Sequence, residues 1–596
     1  MSENRASTLG DVAALAAIAI AISLAIAVWL WGGIAGALFG GGWPHVTPGQ
    51  LLGVIVALPG ALKHPAAAWP EAARRLLPGP TGCYAALALL GAAAAGAAVI
   101  ASRLARALGR DLRAARWAGG GELRQLHTPR PGHGAGGTYR AGQTGADGGR
   151  LVLGRYRGRL LHAEQRHALV AFGPPQSGKS AGLAVPALLE WDGPAVASSI
   201  KTDLLSCTHS RRRALGRVFV FDPFSLSGAH ASTWSPLGAA RTWDGALEVA
   251  WRLAAAGELD QRGVDGGDFW AVAAEQRLAP LLFAAATTGA GMDAVVRWAY
   301  GQGSRELDAA ISEATGGARD EEALDGAHAA YDALRAFEAQ ADRTRSSIEA
   351  TAQGLLRAYR FGRVLRSAAS CEITADALLD ERATLYLIGD AKASKLLRPI
   401  FLALLSEVVD RAYERANAAG GRLELPLLLC LDEAGNVAPL PNLAEVASTA
   451  PSHNIQLVSI FHDLAQARSR YGRQAETVVN SHRARMLLPG VADLDTLRYF
   501  SGLAGEQEAP DTSRTSGTGG SSRTTAVRRR PLAAPESLRQ LPEGEALLLY
   551  GRIAPVRVRL RMWFADRRLR RLAAGSADSD GISVWIHGGR RARRSA

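Results

Sequence analysis

A glycine-rich stretch near residue 175 has the residue types and spacing that bind phosphate. It reads GPPQSGKS over 173–180, with the apolar run HALVAF before it and the helix-compatible run SAGLAVPALLEW after it. Glycine at the first and sixth positions permits a tight loop whose N–H groups, with the next helix N-terminus, face phosphate oxygens. Lys179 is expected to reach the β- and γ-phosphates, and Ser180 to ligate Mg²⁺. The predicted nucleotide-binding residues are Gly173, Pro174, Pro175, Gln176, Ser177, Gly178, Lys179 and Ser180.

A second segment, which is acidic, supplies the carboxylates that a phosphate loop needs for hydrolysis. The stretch LPLLLCLDEAGN, 425–436, is apolar in the way of a strand buried on both faces, and it ends in Asp432-Glu433. Asp432 is expected to hold Mg²⁺, usually through water, and Glu433 to polarise the attacking water. The structural alternative is an ordinary acidic turn after a buried strand. Beside the phosphate loop, the pattern favours a P-loop ATPase with ATP and Mg²⁺ as cofactors.

Further apolar runs must position these residues. They are AVASSI (195–200), VFVFDP (218–223), ATLYLIGD (383–390), IQLVSIF (455–461) and ARMLLPG (484–490). Helical patterns separate many of them, and alternating strands and helices predict a mainly parallel sheet covered on both faces. Residues 241–375 have helical patterns throughout, which indicates an inserted all-helical domain with either a packing or a substrate-binding role.

The N-terminal region predicts a membrane anchor. Residues 12–37 are apolar and long enough to cross a bilayer, and 82–101 form a second charge-free, Ala-rich candidate. The run at 51–62 is too short, and we interpret it as an interfacial or re-entrant part of the connecting loop. A signal peptide and a soluble helix are the respective alternatives. Nine arginines against three acidic residues over 103–150 predict, by the positive-inside tendency, that both termini are cytoplasmic.

Composition sets broader limits. The 596 residues are enough for about three or four domains, and 48% hydrophobic residues argue against a wholly disordered chain. The net charge of +13 fits an anionic partner, either nucleic acid or lipid. Four widely spaced cysteines indicate reduced thiols rather than a disulfide framework or a zinc site. Arginine runs near the C-terminus fit either a solvated tail or a nucleic-acid contact.

Taken in order, these motifs resemble the VirD4/TraG coupling proteins of type IV secretion and conjugation, over roughly residues 1 to 565. The matching segments are the two spans, the phosphate loop, IKTDLL with GRVFVFDPF, GDFW at the start of the insertion, LLLCLDEAGNVAPLPNL, DLAQARSRYG, LPGVADLDTLRYFSGLAGE and RRPLAAPESLRQLPEGEALLLYGRIAPVRVR. The resemblance implies a RecA-like motor on a membrane stem, working as a homo-hexamer. It implies partners among DNA–relaxase complexes, secreted proteins and the secretion channel.

Two departures from the family pattern concern catalysis. The first glutamine of the motif after the next strand is replaced by His462, while the second is kept as Gln466. We include both with Lys179 and Glu433 as candidate catalytic residues. Just upstream, Pro451 and His453 occupy the positions where relatives often carry a candidate arginine finger. The sequence leaves open whether another arginine serves or hydrolysis is slow; the nearby candidates are Arg468, Arg470 and Arg473.

The predicted fold class is α/β, a RecA-like P-loop NTPase domain with an inserted all-α domain, on an N-terminal two-helix transmembrane stem. The predicted organisation is a cytoplasmic N-terminus (1–11), transmembrane helices (12–37 and 82–101) around an extracytoplasmic loop (38–81), a basic cytoplasmic linker (102–150), the ATPase domain in parts (151–240, 376–507 and C-terminal strands 531–566), the inserted helical domain (241–375), a flexible linker (508–530) and a basic tail (567–596).

The predicted function is that of a multi-pass bacterial inner-membrane coupling ATPase, with its ATPase domain in the cytoplasm. It would recruit DNA–relaxase complexes, proteins or both, and drive or license their transfer through a type IV secretion channel. One alternative is a membrane DNA pump of the FtsK type. The other is a membrane receptor platform that binds nucleotide with negligible turnover, and the substitutions at Pro451 and His462 motivate it.

Overall fold

The computed structural model describes residues 22–108, 115–127, 150–164, 167–261, 267–517 and 520–575. They divide into two compact units, Met1–Arg113 and Ala114–Ala596. Each unit has its own apolar clusters.

The first unit is helical. Its helices are α1 (Ile22–Phe39), α2 (Pro48–Ala57), α3 (Glu71–Arg74) and α4 (Pro80–Leu108). The Trp31 indole N–H donates to the Cys83 carbonyl at 2.7 Å, which joins α1 to α4. The short α2 packs into the same unit through Leu51 and Val54.

Both long helices fit a membrane anchor. By length and composition, Ile22–Phe39 and Pro80–Ser102 can cross a membrane, and only 33% and 11% of their apolar windows are buried within the protein. Such uncovered apolar surface is expected where lipid rather than protein surrounds a helix. Residues 12–21 of the first predicted span lie outside the described residues, and the topology of the loop stays a prediction.

The second unit is built on an eleven-stranded sheet with a separate two-stranded ribbon. The strands are β1 (Val152–Tyr156), β2 (Arg159–His162), β3 (Leu169–Phe172), β4 (Ala195–Ser199), β5 (Val218–Phe221), β6 (Thr384–Ile388), β7 (Leu427–Leu431), β8 (Ile455–Phe461), β9 (Ala484–Leu487), β10 (Glu506–Gly517), β11 (Gly520–Pro531), β12 (Glu545–Tyr550) and β13 (Val556–Arg559). The large sheet has the order β2-β1-β13-β12-β9-β3-β8-β7-β4-β6-β5.

The seven strands from β9 to β5 in that order are parallel, and the four at the other end are antiparallel. Successive residues of β7 belong to opposite apolar clusters: Leu429 faces one and Cys430 the other. Burial on both faces explains why the parallel strands are near-continuous apolar runs. The predicted strands at 195–200, 218–223, 383–390, 455–461 and 484–490 are thus confirmed.

The helices of the second unit cover both faces of the sheet. They are α5 (Val185–Glu190), α6 (Asp203–Leu215), α7 (Trp243–Gln261), α8 (Gly267–Thr288), α9 (Gly291–Ala299), α10 (Ser304–Gly316), α11 (Glu321–Glu338), α12 (Asp342–Leu356), α13 (Gly362–Ser367), α14 (Ala375–Asp380), α15 (Ala391–Ala418), α16 (Leu443–Thr449), α17 (Leu464–Tyr471), α18 (Ala475–Ser481), α19 (Leu494–Ala504), α20 (Pro535–Arg539) and α21 (Arg567–Ala574).

The chain between β5 and β6 forms helices α7 to α14, as the helical patterns predicted. The insertion contacts the sheet-covering helix α15 through charged side chains. Arg252 on α7, which is 6% exposed, binds Asp410 on α15 at 3.0 Å and Glu248 at 2.9 Å. The insertion therefore shares a core and an ion-pair network with the ATPase domain. Its exact boundaries, given in the sequence analysis as 241–375, stay a prediction.

Two C-terminal expectations need correction. The predicted flexible linker at 508–530 forms β10 and β11, an antiparallel ribbon in register from Glu506↔Pro531 to Gly517↔Gly520. Its strands are polar, so they lack the apolar alternation by which a strand is recognised in a sequence. The predicted tail at 567–596 begins as helix α21, whose Leu569 is fully buried. Residues 576–596 lie outside the described residues.

A buried arginine fixes the loops at the sheet's amino-terminal edge. Arg212 on α6 is 0% exposed and donates to the carbonyls of Trp191 and Gly193 and to the Thr384 hydroxyl, the last two at 2.7 and 2.6 Å. Burial lowers the pKa of its guanidinium to about 10. Its charge is compensated mainly by carbonyl dipoles, so the three acceptors depend on this one side chain.

We expect Arg212→Met to lower the free energy of unfolding by about 3 kcal/mol or more, because each unpaired buried acceptor costs about 1–3 kcal/mol. Denaturant unfolding of the purified protein in detergent measures this. The matched control is Arg213→Met at the exposed neighbouring position, with an expected change within about 0.5 kcal/mol. Equal stability of the two variants would contradict this role.

Candidate nucleotide-hydrolysis site

Three strands bring the predicted site residues together. The phosphate loop follows β3, Asp432-Glu433 follow β7, and His462 follows β8, which lies between β3 and β7. These strands are parallel, so their carboxyl ends meet at one edge of the sheet. The site therefore lies where open parallel sheets bind their ligands.

The loop has the backbone that its glycines predict. Gly178 has a φ of +87°, and Gln176 is also left-handed at +67°. A β-carbon at Gly173 would lie 2.4 Å from the Ser177 hydroxyl oxygen, so only glycine permits that close approach. Lys179 directly precedes a π-helical turn over Ser180–Ala184, which leads into α5.

Ser180 and Asp432, the predicted Mg²⁺ ligands, are in contact. The Ser180 hydroxyl donates to Asp432 Oδ2 at 2.5 Å. Within the described part of the chain, Asp432 Oδ1 and the Ser177 hydroxyl are buried with no hydrogen-bond partner. Burial raises the pKa of Asp432 to about 6, against the lowering effect of the Ser180 hydrogen bond. A buried carboxylate oxygen without a partner, beside a hydroxyl, is a donor set that suits a hard divalent cation.

The buried side chains of Lys179 and Glu433 form a triad with the half-buried His462. The Lys179 ammonium binds Glu433 Oε1 at 2.5 Å, and His462 Nε2 lies 2.8 Å from Glu433 Oε2. His462 Nδ1 lies 3.4 Å from Lys179 Nζ. With a proton on Nε2 and none on Nδ1, the ring donates to Glu433 and accepts from Lys179. The histidine that replaces the expected glutamine thus touches two other candidate catalytic residues, Lys179 and Glu433.

The triad keeps Glu433 ionised. Burial alone would raise its pKa, but hydrogen bonds from His462 and Lys179 outweigh burial and lower the pKa to about 2. Glu433 also has a left-handed φ of +68°, and the next residue, Ala434, donates its N–H to the Ile460 carbonyl at 2.9 Å. A non-glycine residue in this region is held by its surroundings, here by a hydrogen bond to β8.

The Gln466 side chain contacts backbone atoms rather than the side chains of the triad. Its side-chain oxygen accepts the His462 N–H at 2.7 Å, and its amide packs on Gly435. Asn436 donates to Glu433 Oε2 at 3.0 Å. In this structure Gln466 therefore orients the turn that carries His462, and its catalytic role stays a prediction. Asn436 was not among the predicted site residues, although its position three residues after Glu433 was a signal.

The arginine-finger candidates are distributed away from the triad. Pro451 and His453 precede β8, at the opposite end of that strand from His462. Arg468 binds Glu476 and Asp495, while Arg470 donates to the Gly435 carbonyl at 3.0 Å. Through this hydrogen bond Arg470 contacts the Asp432–Asn436 turn.

This fold and site define the class of protein: a RecA-like P-loop NTPase with an inserted all-helical region and an N-terminal pair of helices that fit a membrane anchor. Residues 117–580 match the family described as Type IV secretory system Conjugative DNA transfer. The chain belongs to this family.

Comparison with curated relatives supports the same family. The chain is 26% identical over 418 residues to the conjugal transfer protein TraG of Escherichia coli, and 23% identical over 439 residues to the protein VirD4 of Rhizobium rhizogenes. These alignments cover 64% and 71% of this chain and 63% and 62% of the relatives. The chain thus matches somewhat less than two thirds of the length of each.

Solved structures with the same fold are those of the conjugative coupling protein TrwB. The unbound monoclinic form of its ΔN70 variant has a TM-score of 0.54 and 18% identity, covering 76% of this chain and 93% of that one. TrwB in complex with ADP and Mg²⁺ has a TM-score of 0.53 and 18% identity, covering 76% and 94%. At this identity the comparison shows the fold alone.

Proposed function

We propose that this protein is a coupling ATPase anchored in the bacterial inner membrane. It recruits DNA–relaxase complexes, proteins or both, and drives or licenses their transfer through a type IV secretion channel. The observation that carries the proposal is the assembled pair of contacts, Lys179–Glu433 and Ser180–Asp432, in a chain that belongs to the conjugative DNA transfer family. The names of its relatives, TraG and VirD4, support the same function.

The proposed substrate is ATP with Mg²⁺. TrwB was solved with ADP and Mg²⁺ and with a non-hydrolysable ATP analogue, which supports nucleotide binding at the equivalent fold position here. The N–H groups of 173–180 and Lys179 would hold the phosphates. Ser180 and Asp432, with its unpartnered Oδ1, would hold Mg²⁺. The ion would neutralise charge that develops on the phosphate oxygens.

Phosphate binding would release the catalytic base. Lys179 is paired with Glu433 in the structure, so it can bind a γ-phosphate only when that ion pair opens or is shared. While Lys179 is paired with it, Glu433 is ionised, because hydrogen bonds from His462 and Lys179 hold its pKa at about 2. Its carboxylate, held by His462 and Asn436, can then accept a hydrogen bond from the attacking water. The ion pair thus links nucleotide binding to activation of the base.

The proposed topology places both termini in the cytoplasm. It rests on the nine arginines and three acidic residues of 103–150 and on the two apolar helices. A homo-hexamer is proposed from the family resemblance, with nucleotide at subunit boundaries. An arginine from a neighbouring subunit would then complete the site.

The family match does not favour an FtsK-type pump. The nucleotide-binding platform without turnover is the contrasting hypothesis, and measured ATP hydrolysis separates it from the proposal.

Measurement of DNA binding tests whether DNA is a cargo of this protein. We expect affinity to fall as salt rises, because each neutralised phosphate adds a slope of about −0.9 on duplex DNA. Arg567, Arg570 and Arg571 are exposed on α21. Changing all three to Gln should weaken binding and make the slope less negative by about one unit per lost phosphate contact. Affinity is measured across salt with full-length protein in detergent. Substitution is preferable to truncation, because Leu569 is buried.

The matched control changes Arg305, Arg319 and Arg343, exposed arginines of the insertion, to Gln, with the same loss of charge. An equal slope change in both triple variants would contradict a specific role for α21. If the protein does not bind DNA at low salt, DNA is not its cargo, and the proposed cargo is then protein.

A further inference from the structure

A C-terminal strap lies directly on the phosphate-loop helix. The strap is 560–566, which continues from the end of β13 to the start of α21. The Trp563 N–H donates to the Ala181 carbonyl at 3.0 Å. Met562 covers the loop so closely that a β-carbon on Gly178 would lie 2.5 Å from its terminal methyl carbon. The strap therefore forms one wall of the phosphate loop.

The sequence of the helix explains why the strap binds there. Pro186 has no N–H, and the Val185 N–H donates to the Ser180 carbonyl in the π-turn. In that register the Ala181 carbonyl would need the missing N–H of Pro186. Trp563 supplies the donor from the strap instead. A proline within the phosphate-loop helix is thus compensated by a residue almost four hundred positions later.

Ion pairs hold the strap at both ends. Arg561, 4% exposed, binds Glu190 at the end of α5 at 2.6 Å and Asp566 at 3.1 Å. Asp566 also binds Arg155 on β1 at 3.0 Å and accepts N–H groups at the start of α21. The backbone between Arg561 and Asp566 is therefore fixed before any ligand binds, which lowers the entropy cost of binding.

The order of strands gives the direction of a bound nucleotide. The acidic residues and His462 follow β7 and β8, on one side of β3 in the sheet. The strap follows β13, on the other side of β3, beyond β9 and β12. The γ-phosphate must lie near Glu433 if that residue activates water. The ribose and base, at the other end of the nucleotide, then extend toward the strap.

The strap carries two aromatic side chains, of which Trp563 also packs against an apolar cluster of the sheet. Phe564 is 56% exposed and Trp563 is half-buried, and their rings are in edge contact with centroids 6.1 Å apart. We infer that Trp563 and Phe564 form the base-side wall of the nucleotide site and stack on the purine ring of a nucleoside triphosphate. This inference rests on the proposed nucleotide binding.

Stacking rather than hydrogen bonding sets the expected selectivity. Every base has an aromatic face, so stacking tolerates different bases. The strap should discriminate between a nucleotide and an inorganic phosphate chain, and only weakly between ATP and GTP.

The test measures the affinity of full-length protein in detergent for two probes, ATP and inorganic tripolyphosphate, each in the presence of Mg²⁺, by calorimetry. For Phe564→Ala we expect ATP to bind at least about fivefold more weakly, with tripolyphosphate affinity within about twofold of wild type. Phe564→Tyr should keep ATP affinity, because it keeps the aromatic face. Trp563→Leu should also lower the affinity for ATP without lowering the affinity for tripolyphosphate. ATP should quench Trp563 fluorescence.

Phe361→Ala is the matched control. Phe361 is 49% exposed and is in edge contact with Phe224, with centroids 5.8 Å apart, but it directly precedes α13 in the insertion. Its ATP affinity should equal wild type. Unchanged ATP affinity in both strap variants would overturn the inference while leaving the proposed function intact. Equal weakening of ATP and tripolyphosphate would also overturn it, since the strap would then only support the loop. If wild type binds neither probe, the proposed function itself fails.

Discussion

Lys179→Ala is expected to abolish ATP turnover and substrate transfer, with a loss of at least about a hundredfold in rate. The ammonium is the charged donor of the loop, and it lies 2.5 Å from the carboxylate assigned to activate water. Its removal takes away the expected phosphate contact and one of the two side chains, with His462, that lower the pKa of Glu433. Phosphate release by the purified protein and transfer frequency in cells are the two measurements.

Membrane insertion should be unchanged in Lys179→Ala, because the substitution is outside the two apolar helices. Lys63→Ala, at an exposed lysine between those helices, controls for loss of one lysine and should keep wild-type hydrolysis. Transfer at the wild-type frequency by Lys179→Ala would show that transfer does not require nucleotide at this loop. The motor hypothesis would then be wrong.

Glu433→Gln should separate binding from hydrolysis. We expect turnover to fall by roughly 10²–10⁴, the usual contribution of a general base. Nucleotide affinity should be equal to or greater than that of wild type, because Lys179 no longer has to leave an ionised partner when phosphate binds. The neutral amide keeps the size of the side chain. Single-turnover hydrolysis and equilibrium ATP binding measure the two effects, and the trapped complex should favour the oligomer.

The control for this variant is Glu445→Gln, an exposed glutamate on α16. Wild-type hydrolysis in Glu433→Gln would show that the carboxylate is structural and that another group activates water. Weaker ATP binding would show instead that the Lys179–Glu433 pair assists nucleotide binding rather than competing with it.

The sequence predicted the sheet where the strands are buried on both faces. The runs at β4, β5, β6, β7, β8 and β9 are short and apolar, so burial alone identifies them. It did not predict β1 and β2, which add an antiparallel edge beyond β13. They contain exposed arginines among their apolar residues, a weaker pattern. The ribbon of β10 and β11 was missed because its polar residues resemble linker composition.

The site was predicted by residue type, but its contacts were not. Lys179 and Glu433 are 254 positions apart, so only the strand order reveals that they form an ion pair. His462 was predicted as a candidate catalytic residue from its place in the motif, and only the structure shows its contacts with Lys179 and Glu433. The strap was missed because its contacts depend on a carbonyl freed by Pro186, which is a tertiary effect.

The Lys179–Glu433 pair also affects which form of the nucleotide the site accepts. A bare triphosphate would bring its negative charges beside the carboxylates of Asp432 and Glu433, which repel it. A lone divalent cation would approach the positive charge of Lys179. A metal–triphosphate complex satisfies both signs together, since its phosphates meet the lysine while its metal meets Asp432. The charge balance of the site therefore favours the preformed complex over stepwise loading of its two components.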